Sequence, residues 1–317
     1  MTKKRNLIFT LLLLGAVTFC VAGCQVIPRR ASKPEQVEII TTIFPLADLA
    51  RQLGGDRVTV SCLLPAGASP HDFEPAMEQV KAVSRALLFI YMGGGLDDWA
   101  AATARAGTGQ ARQLGLLERS LEQGWLPPGE YPDENPEEPG SANRFNPHLW
   151  LDPLSTRDYL CPAITDALVE LDPDCEAYYR ANLAAYQEEL TALDEEISAE
   201  LSGLPGKSFL SVHAAWHYFA ARYGLDEAAV ITEFPGQEPA AAELSELVDF
   251  CREQRIGVVA TEPQFSTAVA AMIAGEIGGE MIVLDPLGGA ELAQRDSYLS
   301  LIRYNTAVLK DALTNQK

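Results

Sequence analysis

The stretch Asp174–Ser202, DCEAYYRANLAAYQEELTALDEEISAELS, governs the reading of the whole chain. Tyr179, Leu183, Tyr186, Leu190, Leu193, Ile197 and Leu201 recur every three or four residues, which places them on one stripe of an α-helix. At ~1.5 Å per residue such a helix spans roughly 40 Å, more than one small lobe requires. It is therefore expected to be a strut, residues 173–203, joining a lobe over 37–172 to a lobe over 204–317.

Both flanks support that division. Before the strut, apolar and β-branched runs at 37–42, 58–64 and 86–92 alternate with helical patterns near 45–53, 75–84 and 96–106, and a further helix is expected over 156–171. After it, runs at 208–212, 230–233, 256–261 and 281–284 alternate with helical patterns near 214–223, 240–254, 267–275 and 298–312. Repeated βα order predicts parallel sheets flanked by helices, so the fold class is α/β with two Rossmann-like lobes. Residues 126–147 interrupt the pattern with six prolines and five acids and are expected to form a mobile acidic loop.

The first residues bear on location. Lys3, Lys4 and Arg5 precede an apolar run from Leu7 to Ala22 that ends in Val21-Ala22-Gly23-Cys24. A basic start, a run short for a membrane span and a small-small-Cys ending read as a lipoprotein signal peptide, residues 1–23. Cys24 would carry the lipid and anchor the protein outside the cell membrane, with residues 24–36 as a tether. Asp and Glu number 44 against 24 Lys and Arg, a formal charge of −20, and removal of the basic leader makes the chain more acidic still. Such a balance disfavours nucleic acid, whose phosphates demand basic patches. Cys62, Cys161, Cys175 and Cys251 form no CxxC pair, so a zinc knuckle is not indicated and no disulfide pairing follows from their spacing.

The chain has only four histidines, and three stand in suggestive contexts: Pro70-His71-Asp72-Phe73-Glu74-Pro75, Asn146-Pro147-His148-Leu149-Trp150-Leu151-Asp152-Pro153, and Ser211-Val212-His213. Neutral imidazole is a common zinc ligand. His71 follows one predicted strand, His213 ends another and Asp285 ends a third. Ligands in open parallel sheets bind beyond the carboxyl ends of the strands. Two lobes facing each other with those ends would set His71 and His148 opposite His213 and Asp285. Three nitrogens and one carboxylate oxygen suit a four-coordinate zinc-type site in the interlobe cleft. Because bound imidazoles must be unprotonated, affinity is expected to fall below about pH 6.5.

These motifs, with His213-Ala214-Ala215-Trp216, Glu262-Pro263-Gln264-Phe265-Ser266 and Leu284-Asp285-Pro286-Leu287, occur in an order that resembles the zinc/manganese solute-binding lipoproteins of bacterial ABC importers. The resemblance covers nearly all of residues 37–312. It implies one divalent metal held by His71, His148, His213 and Asp285, and delivery to a membrane permease driven by a separate ATPase. Manganese-preferring relatives commonly carry glutamate in place of the third histidine. His213 therefore favours Zn2+, with Mn2+ the alternative cargo.

Glu262, which also ends a strand, is a candidate ligand, a support for an imidazole or a cap of the following segment; Asp72, Glu74 and Asp152 are candidates for orienting the imidazoles, and His217 for a peripheral place near the metal. His213 and His217 have the i, i+4 spacing of HExxH metalloproteases, but Ala214 stands where the general-base glutamate would be required. The expectation is accordingly a non-enzymatic, monomeric binding protein, ahead of a metal-dependent hydrolase or a surface adhesin.

Overall fold

The computed structural model describes residues 36–106, 111–125, 145–204, 206–232 and 239–316. The signal sequence, Cys24, the tether up to residue 35 and residues 126–144 of the acidic stretch lie outside the described residues.

Strands β1 (Val37–Thr41), β2 (Val58–Cys62), β3 (Leu88–Tyr91) and β4 (Arg112–Gly115) form an all-parallel sheet in the order β2-β1-β3-β4. Strands β5 (Ser208–His213), β6 (Asp226–Thr232), β7 (Val258–Thr261) and β8 (Glu280–Val283) form a second one in the order β6-β5-β7-β8. Helices α1 (Phe44–Gly54), α2 (Met77–Arg85), α3 (Trp99–Ala106), α4 (Leu116–Glu122) and α5 (Cys161–Leu171) accompany the first sheet. The strut is α6 (Glu176–Leu201), and α7 (His217–Tyr223), α8 (Ala241–Gln254), α9 (Ala268–Ile277) and α10 (Tyr298–Asn315) follow it.

Strand alternation sorts the core into layers. Ile39, Leu88 and Ile90 in the first sheet, and Phe209, Val258 and Ala260 in the second, join one large cluster that includes the stripe of α6. Their neighbours Ile40 and Phe89, and Leu210 and Val259, point the other way into two smaller clusters beneath the outer helices. Both faces of each sheet are covered, as parallel sheets require. The seven stripe residues of α6 are all buried, and they are the helix's complete buried set. Helix α10 returns from the second sheet to pack on α6, with Arg303 paired to Glu196 at 2.9 Å.

Strand β4 and helix α4 were absent from the sequence reading. Strand β4 consists of Arg-Gln-Leu-Gly, too short and polar to give an apolar run, and as an edge strand it buries only Leu114. The segment expected as one helix over 156–171 begins as a π-helical turn, Thr156–Leu160, before α5. Pro162 has no N–H to complete a regular turn there.

Candidate metal centre

In an open parallel sheet the crevice lies where strand order reverses, and here that is between β1 and β3 in the first sheet and between β5 and β7 in the second. His71 comes from the loop after β2, and His148 precedes the short turn Leu149–Leu151. His213 is the last residue of β5, and Glu262 follows β7. Ser211 pairs with Ala260, so His213 and Glu262 stand side by side two residues further along their strands.

The three imidazoles converge. Ring centroids are 5.7 Å apart for His71 and His148, 5.0 Å for His71 and His213, and 4.8 Å for His148 and His213. One donor nitrogen from each lies within 4.8 Å of the others. The cavity they line, with Glu262 and Gln264, has a volume of ≈ 10 Å³. That is about one water molecule's worth of space, suited to a single ion and closed to an organic ligand. A larger hollow of ≈ 950 Å³ between β6 and α8 has Glu243 and Glu246 as its only titratable lining groups among the described residues, and so gathers no comparable donor set.

Each ring is held by its inner nitrogen. His148 Nδ1 lies 2.6 Å from Asn146 Oδ1, His213 Nδ1 3.3 Å from Glu262 Oε1, and His71 Nδ1 3.3 Å from the Gly95 carbonyl. With Nδ1–H donating to these acceptors, the Nε2 lone pair of each ring is left for the cavity. His71 Nε2 is buried without a hydrogen-bond partner, so its lone pair is available to a cation. Zinc fits this donor set: tetrahedral Zn–N bonds of about 2.0–2.1 Å set ligand nitrogens roughly 3.3 Å apart, within a small rotation of the rings.

The supports are themselves braced. Asn146 Oδ1 also accepts the His148 backbone N–H at 2.9 Å, its Nδ2 donates to the Ala214 carbonyl, and Tyr218 Oη donates to its carbonyl at 2.9 Å. One residue thus links His148 to the turn after His213. The loop Gly93-Gly94-Gly95, with all three φ positive, is pinned by the buried Asp97, which accepts from Thr42 Oγ1 at 2.6 Å, Met92 N at 2.9 Å and Gly93 N at 2.8 Å. Burial lifts the Asp97 carboxyl to about 6 against those hydrogen bonds.

Burial, reinforced by repulsion from His213, holds the His71 imidazole down to about 4. Burial, with His213 and His71 adding to it, pushes His148 well below its ordinary value. Both rings are therefore neutral and ligand-ready at neutral pH. For these two rings protonation moves to lower pH than the 6.5 of a free imidazole, because desolvation penalises the imidazolium.

Asp285 is placed differently from expectation. It is 1 % exposed, but it does not line the cavity, where Pro286 and Leu287 stand instead. Its Oδ2 pairs with Arg295 Nη1 at 2.8 Å and its Oδ1 accepts from Leu287 N and Gly288 N, each at 3.0 Å. Strand β8 is the sheet edge, two strands from β5 and so roughly 10 Å away, whereas β7 is adjacent. Glu262 is therefore the carboxylate brought to the histidines. Asp152 is likewise engaged elsewhere, accepting from Leu154 N, Ser155 N and Ser155 Oγ as a helix cap. Asp72 and Glu74 are exposed. His213 and His217 do not share a helix, since the first ends β5 and the second opens α7, and the His217 ring packs 5.5 Å from that of Tyr218.

Asn146, Gly95 and Asp97 went unnoticed in the sequence. The Asn-Pro-His order was the available signal for Asn146, an amide two residues before a histidine. Nothing local marks Asp97, whose role depends on folding back over the glycine loop.

No helix of the described residues is long and apolar enough to cross a membrane. The chain is 32% identical over 282 residues to the zinc-binding lipoprotein AdcA of Streptococcus pneumoniae, covering 87% of this chain and 55% of the relative. It thus spans about half the length of the first curated relatives it matches. It is 28% identical over 316 residues to the high-affinity zinc uptake system protein ZnuA of Bacillus subtilis, covering 96% of this chain and 97% of the relative. A crystal structure of ZnuA superposes with a TM-score of 0.75 at 32% identity, over 88% of this chain and 99% of that one. Residues 39–312 match the family described as zinc-uptake complex component A, periplasmic, and the chain belongs to that family.

Proposed function

We propose that this protein is the extracytoplasmic binding component of an ABC importer, capturing Zn2+ between its lobes on His71, His148 and His213 and delivering it to a membrane permease with its cytoplasmic ATPase. The observation that carries the reading is the convergence of three imidazoles, two buried and one half-buried, each held through Nδ1, on a cavity sized for one ion. The printed names of the curated relatives, a zinc-binding lipoprotein and a high-affinity zinc uptake protein, support the same cargo and a lipid on Cys24. Nitrogen donors favour zinc over manganese, the alternative cargo.

The arrangement performs no chemistry on a substrate. Glu262 accepts from His213 Nδ1 and offsets part of the cation's charge in a site that desolvates it. His71 and His148 precede α6 in the chain and take their supports from Gly95 and Asn146; His213 and Glu262 follow it. Separating the lobes would divide the set into a pair of imidazoles and a single one. Release then requires only a small relative tilt of the lobes, without unfolding either sheet. The protein is proposed to act as a monomer.

Zinc titration of the metal-stripped protein, competed against a chromophoric chelator, tests this. One zinc should bind per chain, and His148→Ala should weaken it at least 100-fold. Undiminished binding by the variant would remove the proposed site. Fractionation of cells expressing Cys24→Ser tests the anchor: the variant should leave the membrane fraction, and retention would refute lipidation at that cysteine.

A further inference from the structure

We propose that Arg295 sets the metal preference of the site by holding Asp285 out of it, an inference that rests on the three-histidine reading above. Both oxygens of the Asp285 carboxylate accept from outside the cavity: Arg295 Nη1 at 2.8 Å on one, Leu287 N and Gly288 N at 3.0 Å on the other. Its backbone is fixed as well, with Asp285 N donating to Asn305 Oδ1 and Asn305 Nδ2 donating to Asp285 O, both at 2.7 Å.

Arg295 is in turn seated by the fold. Its backbone N–H donates to Leu292 O at 2.9 Å and its carbonyl accepts from Gly289 N at 3.1 Å, closing a turn just before α10. Its guanidinium lies 4.9 Å from the Tyr304 ring centroid, within cation–π range. For Asp285 to reach a cation among the imidazoles it would have to leave Arg295 and both backbone donors together.

The consequence falls on the identity of the cation. Manganese is hard and depends on oxygen donors, whereas zinc is well served by three imidazoles. A carboxylate tied to Arg295 is an oxygen donor withheld. Freed, it would add a negative oxygen ligand, and manganese should gain more from that than zinc. Arg295 is a positioning residue in this account and touches no metal.

The experiment measures Zn2+ and Mn2+ affinities of metal-stripped full-length protein by chelator competition, with circular dichroism confirming the fold of each variant. Arg295→Met should lower the zinc-to-manganese affinity ratio at least tenfold, mainly through tighter manganese. Arg295→Lys should keep the ratio near that of the parent, and Arg295→Met combined with Asp285→Asn should abolish the gain. A purely structural role would weaken both metals alike, so an unchanged ratio in folded Arg295→Met overturns the proposal, as does a gain that survives Asp285→Asn. Should Arg295→Met not fold, the double variant, which removes both charges, decides: zinc affinity within about threefold of the parent supports an Asp285 that is no ligand, and a loss beyond 30-fold overturns it. His148→Ala, run in parallel, separates failure of this proposal from failure of the histidine site itself.

Discussion

Acidifying the solution from pH 7 to 5.5 should weaken zinc binding far less than three ordinary imidazoles would. An imidazole of ordinary value 6.5 is about 76% neutral at pH 7 and about 9% neutral at pH 5.5, so each such ligand would cost roughly eightfold in affinity. Three of them would together cost about 600-fold. His71, held down to about 4 by burial and by His213, remains about 97% neutral at pH 5.5. His148 is pushed the same way by burial and by both other rings. Two of the three ligands are thus silent over this interval, so the loss falls far short of 600-fold. The steep decline belongs nearer pH 4, where His71 takes its proton. Chelator competition at half-unit steps of pH, with the chelator's own titration known, is the assay. A loss of several hundredfold above pH 5.5 would refute the claim that burial keeps these rings neutral. Melting of the metal-free protein is a poorer readout because its linkages oppose each other. The lowered His71 value means stability lost as pH falls from 6.5 towards 4, roughly 3 kcal/mol at most. Asp97, raised by burial to about 6, and Glu227, raised by burial to about 8, bind protons more tightly folded than unfolded, so acidification stabilises through them.

Other perturbations probe the supports and the frame. Asn146→Ala removes the acceptor of His148 Nδ1 and the link to Ala214, and should weaken zinc about 10- to 100-fold, while Asn146→Asp, which keeps the acceptor oxygen, should lose less; equal losses in the same competition assay would count against orientation as the cause. Leu190→Ala at the centre of α6, where the side chain is fully buried, should lower unfolding free energy by about 2–5 kcal/mol in urea, and a change under 1 kcal/mol would contradict the packing described. Asp97→Asn turns an amide N–H₂ towards donors from Thr42, Met92 and Gly93; a destabilisation of about 1–3 kcal/mol by denaturant titration is expected, and a neutral outcome would mean the glycine loop is held some other way.

The parts of the fold that were legible from sequence were those with a period. The three-and-four spacing of α6 named its buried residues, because a one-sided stripe has few ways to satisfy itself. Strands buried on both faces gave apolar runs, while β4, an edge strand with one buried residue, gave none. Strand β6 begins at Asp226, four residues before the apolar run at 230–233 that betrayed it, since its first residues are only partly buried.

The convergence of the histidines was legible in the sequence and the placement of the carboxylates was not, for a physical reason. A rare residue type among motifs at strand ends has few alternative roles, so four histidines in 317 residues could be reasoned about singly. Carboxylates number 44 and serve as caps, ion-pair partners and turn acceptors with equal ease. Asp285 ends a strand as His213 does, yet β8 lies one strand beyond the reversal of strand order, and there Pro286 and Leu287 line the cavity while the Asp285 carboxylate does not. Sheet order is a long-range property that no local spacing encodes. Nor could the sequence reveal that Arg295, ten residues further on, already occupies the Asp285 carboxylate. What decides a buried carboxylate's role is which cation reaches it first, a fixed guanidinium or a captured metal, and that competition is settled only once both are held in space.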